Sequence, residues 1–492
     1  MPRRQLTDSQ REFLGTVHDA AFANPFSQDR ATLDLSIAGL KRDANPKTRL
    51  SAAITRVNAA LAEIDTPTAA VLGDFSSDDQ HLVTYAVLFS LFHHFAEQFD
   101  ALIAHQIKIR EGSCPVLFAS DAIRRMRERG ICEKDALRYF ALFYQLRRGY
   151  HFINNALVGR CPSMQHLRMV LWNNVFTHDS QLYVETLWDR MEDFATLILG
   201  ETGTGKGAAA AAIGRSGYIP FNAREKCFSE SFMSSFVELN LSQFPEPLIE
   251  SEIFGHRKGA FTGAVEAHAG TFSLCSPHGS VFLDEIGDVS IPVQIKLLRV
   301  LQDRTFSAVG SHERQRFHGR VIAATNKPLD KLRRSGQFRD DFYYRLCSDQ
   351  ICVPPLKLRI QEDPQELDDL LSIVMERITG TDGAELCAHV KESLLTSVGR
   401  DYPWPGNVRE LEQSVRRILL CGIYSGQRPI SKTNLDQLKS RIETGTYDTQ
   451  SLTSDYCRHL YELHGTYEAV ARITNLDRRT VKKHVTRSLS DF

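Results

Sequence analysis

The chain has 492 residues, enough for about three domains at ~150 residues each. Lys and Arg number 59 against 60 Asp and Glu, a net charge of −1; this excludes a wholly basic nucleic-acid coat and an acidic disordered tail but leaves room for a local basic surface. Charged residues at 24% and hydrophobic ones at 42% exclude a largely disordered chain. No stretch reaches the ~18 uncharged apolar residues of a membrane span, since the run Thr84–Phe92 is followed at once by His93, His94 and Glu97. The first residues carry charge but no apolar core after it, unlike a secretory signal. Ten cysteines are scattered without a C-x2-C pair, so reduced thiols in a cytoplasmic compartment are expected rather than a disulfide scaffold or a zinc site.

Residues 1–160 are predicted to form a mainly helical N-terminal domain. Val83, Val87, Leu88, Leu91, Phe95, Phe99, Leu102 and Ile103 recur at three- and four-residue steps, the pattern of one long helix. A second helical stretch, Glu133 to Tyr150, carries Leu137, Phe140, Phe143, Tyr144 and Leu146. Both faces are expected to be helix-bundle core; a ligand pocket or a partner groove is the alternative. The texture changes after Cys161-Pro162. Short apolar strands, Thr196–Leu199, Ser280–Leu283 and Arg320–Ala324, then alternate with helical segments, which predicts a parallel sheet covered by helices. A helical region is expected from Glu362 to about Ile423, then a polar linker at 425–450 and a small helical unit at 451–492.

Gly200, Glu201, Thr202, Gly203, Thr204, Gly205 and Lys206 follow the first of these strands and precede an Ala-rich helical run. Glycines let successive backbone N–H groups face an anion, the helix start adds partial positive charge, and Lys206 can reach the outer phosphates. Position 207 is Gly, where the general phosphate-loop pattern has a hydroxyl residue for Mg2+. The metal is therefore expected to depend on Asp284, which with Glu285 ends the strand Ser280–Leu283. An Asp there can hold Mg2+, and the Glu beside it can orient or deprotonate an attacking water. Asn326 closes the strand Val321–Thr325, within reach of a γ-phosphate. Taken alone, a strand-terminal Asn is more often a turn former.

The segment Glu250–Ala264 is similar to the signature of sigma-54-dependent transcriptional activators, the bacterial enhancer-binding AAA+ ATPases. Its hexapeptide, Gly259, Ala260, Phe261, Thr262, Gly263 and Ala264, is intact. The resemblance runs from about Ser163 to Leu420 and resumes in the last fifty residues. It implies an AAA+ α/β core at 163–355, a helical lid at 356–424, and ATP with Mg2+ as cofactors. It implies that Phe261 and Thr262 touch sigma-54 on the RNA polymerase holoenzyme; the bland reading of the same residues is a surface turn whose Phe261 packs back on its own domain. Asn240 falls at the position of a switch asparagine acting through Glu285, Asn326 at sensor I, and Arg409 at sensor II. Arg339 and Arg345 fall in the arginine-finger segment, which implies a ring, hexameric in this family. Gly207 and Arg257 depart from the pattern, where the family commonly has acidic residues, and extra residues stand near Phe176–Arg190 and Tyr218–Ser234.

The end of the chain reads as helix, turn, helix, with Asp477 as N-cap and Ala469, Val470, Ile473, Leu476, Val481 and Val485 as its small core. The second helix presents Arg478, Arg479, Thr480, Lys482, Lys483 and Arg487, a basic face suited to a DNA major groove and similar to the Fis-type unit that ends many members of the family. The expectation is a cytoplasmic, nucleoid-associated bacterial activator that binds upstream double-stranded DNA and uses ATP hydrolysis to open sigma-54 promoters. Residues 1–160 show no receiver-type phospho-acceptor context, so regulation is expected from a ligand or a partner protein. The alternative is an AAA+ ATPase that remodels another protein and uses its C-terminal helices as an oligomer contact.

Overall fold

The computed structural model describes residues 3–41, 44–65, 71–380, 384–424, 426, 442, 445 and 448–486. The chain gathers into two compact units, Met1–Cys387 with Gly406–Gln413, and Ala388–Pro405 with Ser414–Phe492. Among the described residues no helix is long and apolar enough to cross a membrane.

The first unit is built on a five-stranded parallel sheet: β1 (Thr196–Leu199), β2 (Phe236–Asn240), β3 (Ser280–Asp284), β4 (Arg320–Thr325) and β5 (Asp349–Cys352), in the order β2-β3-β4-β1-β5. Its inner strands are covered on both faces and so read as unbroken apolar runs. Alternate residues nevertheless serve different cores. Ile198, Phe282, Ile322 and Ala324 join one cluster, and Leu197, Val281, Leu283, Val321 and Ala323 the other.

The first of these clusters is continuous with the N-terminal helices, from Leu14 and Val17 through Phe99 and Phe140 to Phe232. The expected boundary near residue 160 is thus crossed by packed side chains. The helix Glu133–Ala156 lays Phe140 on Phe221 (ring centroids 4.9 Å), Tyr144 on Phe228 (3.9 Å) and Phe152 on Phe232 (5.3 Å). Those partners lie in the 218–234 segment, so the aromatic face is sealed partly from within the chain. The same helix reaches the end of the helix Lys206–Gly214 that follows the phosphate loop. Fully buried Arg148 donates to the carbonyls of Arg215 (2.8 Å) and Gly217 (2.6 Å), and Gln145 donates to that of Ser216 (2.9 Å). A guanidinium there satisfies carbonyls that the helix end leaves without partners.

The long helix expected around Val83–Ile107 is two, Ser77–His94 and Ala96–Ile109. The break is the single residue Phe95 (φ −99°, ψ 6°), whose buried ring stacks on Phe118 at 5.8 Å. The pattern survives because Phe99 N still donates to the Phe95 carbonyl. The helical region after Glu362 divides into Gln365–Thr379, Ala384–Val398 and Asn407–Cys421.

In the second unit the terminal helices are Thr449–His464, Tyr467–Thr474 and Arg478–Thr486. Their core is Cys457, Leu460, Val470 and Val481, with Leu476 and Val485 packed against it. Ile473, expected inside, is 48% exposed, because the helix Thr449–His464 supplies Cys457 and Leu460 in its place. Most of the expected linker, 425–450, lies outside the described residues.

Candidate nucleotide cleft and contact loop

Strand register assembles the cleft. Asn240 is paired with Asp284 across β2 and β3, and Leu199, just before the phosphate loop, with Thr325 across β1 and β4. The ends of four strands therefore meet beside the loop, where ligands sit in open α/β sheets. The loop curls back on itself, with Lys206 Nζ donating to the carbonyls of Gly200 (3.0 Å) and Glu201 (3.1 Å). Burial lowers the Lys206 ammonium and raises the Asp284 carboxyl, although Lys206 and Arg409 pull Asp284 the other way.

Glu285 holds φ +57°, a left-handed backbone that a non-glycine residue adopts only under constraint. Its own N–H donates to Asp284 Oδ1 (3.0 Å), and its Oε2 accepts from Asn326 N (3.3 Å). Asn326 Nδ2 in turn donates to Thr202 Oγ1 on the phosphate loop (2.7 Å). Asn240 Nδ2 donates to Asp284 Oδ2 at 3.5 Å, so the asparagine expected to act on Glu285 rests instead on its neighbour.

The segment Gly406–Arg409 closes over the loop. Val408 N donates to the Gly203 carbonyl (3.0 Å), and Arg409 lines the cleft. Asn407, fully buried, donates to Glu201 Oε2 (3.0 Å) and to the Thr202 carbonyl (3.1 Å) while accepting from Leu356 N (2.7 Å). The cleft measures about 420 Å3 and ends in an apolar slot of Leu157, Val158, Met164, Leu370, Ile373 and Val374. Arg359, in a buried ion pair with Glu366, ties the Val158 carbonyl at 2.6 Å.

Sequence reasoning missed both Asn407 and this slot. Asn407 stands two residues before Arg409, the residue expected at sensor II, so its signal was present. The slot joins short pieces far apart in the chain, and no periodicity or spacing marks it.

Arg339 pairs with Asp341 (2.7 Å), and Arg345 Nε donates to the Leu301 carbonyl (3.2 Å). The Gly259–Ala264 loop is a tight turn closed by Gly259 N to the Ala264 carbonyl (2.8 Å). Phe261 leans on the His256 ring (4.9 Å) yet stays 37% exposed, and Thr262 is exposed. The base of the loop is laced to the segment around Val309 by Arg257 N to the Val309 carbonyl (3.1 Å) and Val309 N to the Gly255 carbonyl (2.8 Å). Arg257, where an acid was expected, forms an ion pair with Glu313 at 2.6 Å.

In the terminal helices Asp477 caps as expected, its Oδ1 accepting from Arg479 N (2.8 Å). Arg479, Lys482 and Lys483 are exposed, Arg478 pairs with Glu468 (2.8 Å), and Thr480 is half-buried. Arg487 lies outside the described residues.

A phosphate loop after β1, an acidic pair ending β3, and β4 between those two strands define a P-loop domain of the AAA+ class. Residues 181–352 match the sigma-54 interaction domain family. The chain is 40% identical over 270 residues to a sigma54-dependent transcriptional activator, SfnR, of Pseudomonas putida, covering 54% of this chain and 69% of that protein. It is 37% identical over 279 residues to a Nif-specific regulatory protein of Azotobacter vinelandii, covering 55% of this chain and 45% of the relative. NtrX from Brucella abortus in complex with ATP is a solved structure that aligns at 19% identity and a TM-score of 0.41, over 74% of this chain and 78% of that one. The chain belongs to the sigma-54-dependent transcriptional activators. It spans about half the length of most of the curated relatives it matches.

Proposed function

We propose that the protein is an ATP-driven activator that holds upstream DNA through its terminal helices and remodels sigma-54 RNA polymerase from a closed to an open promoter complex. One observation carries this reading: the phosphate loop, Asp284, Glu285 and Asn326 converge on a single cleft, in a chain that also presents Phe261 and Thr262 at its surface.

In this reading the apolar slot takes the adenine ring, and the loop N–H groups with Lys206 take the phosphates. Glu285 orients and deprotonates the attacking water, its carboxylate steadied by the Asn326 N–H. Asn326 and Asn240 sense the terminal phosphate, and Arg409 bridges it to the lid. Arg339 and Arg345 exchange their present partners for a neighbouring subunit's nucleotide, which makes hydrolysis depend on a ring, most simply a hexamer. The donors also fit Mg2+. Asp284 is a half-buried carboxylate held above its ordinary range by burial, a state that a hard cation relieves. Gly207 offers no hydroxyl, and Thr204 Oγ1 donates to the Glu201 carbonyl (2.9 Å), so Asp284 would hold the ion with water and phosphate oxygens. Bound there, Mg2+ would neutralise phosphate charge.

The test is promoter melting. Full-length protein and ATP are added to a closed complex of sigma-54 polymerase, and unpaired thymines are read by permanganate. Melting that requires hydrolysable ATP is expected. ATP turnover without melting on any sigma-54 promoter carrying upstream sites for the protein would sink this reading in favour of a different remodelled partner.

A further inference from the structure

The sheet has a second functional-looking edge. Asp284 and Thr325 end β3 and β4 at the nucleotide cleft, whereas Ser280 and Arg320, which begin them, face a cavity of about 440 Å3 at the opposite edge. That volume falls within the roughly 300–1,000 Å3 range of small-molecule sites. Tyr183 and Trp188 reach it from the 176–190 segment and Tyr218 from the 218–234 segment, the two stretches near which the sequence reading finds extra residues. Gln145, from the helix Glu133–Ala156, completes the wall.

Arg320 is the distinctive group. It is 8% exposed, and its hydrogen bonds all go to neutral acceptors: Nε to the Phe194 carbonyl (2.9 Å), and Nη2 to the Asn174 carbonyl (3.1 Å), Asn174 Oδ1 (2.9 Å) and Thr196 Oγ1 (3.0 Å). Among the described residues its Nη1 makes no hydrogen bond, and no carboxylate lies within ion-pair distance. Asp349, the acid that acts on it from further off, accepts from Asn174 Nδ2 (2.6 Å). Burial pulls the guanidinium down to about 10. A buried cation whose nearest acid is reached only through Asn174 is incompletely compensated, and a carboxylate is the group that matches its fork. Part of the lining is aromatic. Trp188 meets Tyr218 edge-on at 4.6 Å, and the buried Tyr183 hydroxyl is held by Gln145. Asp189, His278 and His318 are exposed on the rim, where water screens them, and Glu192, half-buried in the same lining, is the acid that an anionic occupant has to avoid.

We propose that this cavity binds a small organic carboxylate with a flat apolar body, its carboxylate on Arg320 and its body against Trp188, Tyr218 and Tyr183. Ile213, in the last turn of the helix that begins with Lys206, and Gly217, three residues past its end, line the same cavity. An occupant therefore touches the element that carries the phosphate loop.

The sequence holds three tryptophans, so the full-length protein labelled with 5-fluorotryptophan gives a direct local readout by 19F NMR, with Trp188 assigned from Trp188→Phe. Benzoate is the probe and benzyl alcohol its uncharged comparator. The Trp188 resonance is expected to move saturably in low-millimolar benzoate, with benzyl alcohol at least about tenfold weaker. Tyr218→Ala, which leaves the hydrogen bonds of Arg320 in place, is expected to weaken benzoate by about tenfold as well. Arg320→Lys should do the same; should it fail to fold, since Arg320 also secures Phe194 and Asn174, the alcohol comparison and Tyr218→Ala decide alone. A Trp188 resonance unmoved at about 20 mM benzoate, or moved equally by the alcohol, overturns the assignment and leaves Arg320 a structural tie.

Discussion

The phosphate loop and the Gly259–Ala264 loop are both short turns with two positive-φ glycines, Gly203 and Gly205 in the first and Gly259 and Gly263 in the second, yet their surroundings differ. A Cβ placed on Gly203 (φ +79°) would stand 2.3 Å from the Gly406 carbonyl oxygen and 2.9 Å from Arg409 Cβ, whereas one on Gly259 (φ +80°) or Gly263 (φ +103°) meets nothing within 4 Å. At Gly203 glycine is required for close packing as well as conformation; at Gly259 and Gly263, as at Gly205, conformation is the only demand. The first loop is thus clamped at Gly203, whereas both glycines of the second stand clear of their neighbours, although Ala260 beside them lies close to Gly310.

Gly203→Ala is the most severe way to probe that contrast. It adds a backbone clash to the left-handed strain, and nucleotide affinity is expected to fall by at least about 100-fold in a fluorescent-nucleotide titration. Gly259→Ala carries only the strain, about 1 kcal/mol, and should leave affinity within about twofold. Equal losses in the two variants would break the distinction. The next largest effect belongs to the exposed loop. Thr262→Ala removes one exposed hydroxyl, so ATP turnover should stay within about twofold while permanganate-detected melting falls by at least about tenfold. A parallel fall in both would mean that the loop serves hydrolysis rather than contact.

The same contrast explains what was legible in the sequence. Gly200–Lys206, Asp284, Glu285 and Asn326 could be read because each lies at a strand end inside a contiguous motif, and backbone register then brings them together. The fold class followed from the alternation of apolar strands with helical segments. The apolar slot was illegible because Leu157, Met164 and Leu370 become neighbours only through tertiary packing. The N-terminal helices are legible as helices, but not as sharing one core cluster with a face of the sheet. Phe140 and Tyr144 carry the same helical period whether they face another helix or the 218–234 segment. Phe95 breaks a helix without Gly or Pro, and Ile473 faces outward because a preceding helix takes its place; neither leaves a mark in a local pattern.

Asn407 sharpens the clamp argument from the lid side. Its buried amide is the shared partner of Glu201, the Thr202 carbonyl and Leu356 N. Asn407→Ala would leave those groups short of partners, at a cost of about 1–3 kcal/mol. Nucleotide affinity is expected to drop about tenfold and the melting temperature by several degrees, by titration and calorimetry. A variant that loses stability but keeps full affinity would assign Asn407 to the lid's fold and not to the loop.

The smallest effect on stability concerns the floor of the clamped site. Burial raises the Asp284 carboxyl above its ordinary range, so the folded state binds that proton more tightly than the unfolded chain does. The penalty is therefore absent below the ordinary aspartate range and grows as pH rises through the elevated value, leaving the carboxylate a cost to the fold at neutral pH. Asp284→Asn removes the charge and keeps an acceptor for Glu285 N, whose bond to Asp284 Oδ1 is 3.0 Å. At pH 7.5 without nucleotide the variant is expected to melt about 1–3 °C higher than the parent, the gain shrinking as pH falls toward the ordinary aspartate range, while ATP hydrolysis is lost. Differential scanning calorimetry at several pH values checks the sign. A variant that melts lower at neutral pH would mean that the Glu285 N–H, Lys206 and Arg409 outweigh burial, and that the site is satisfied without a cation.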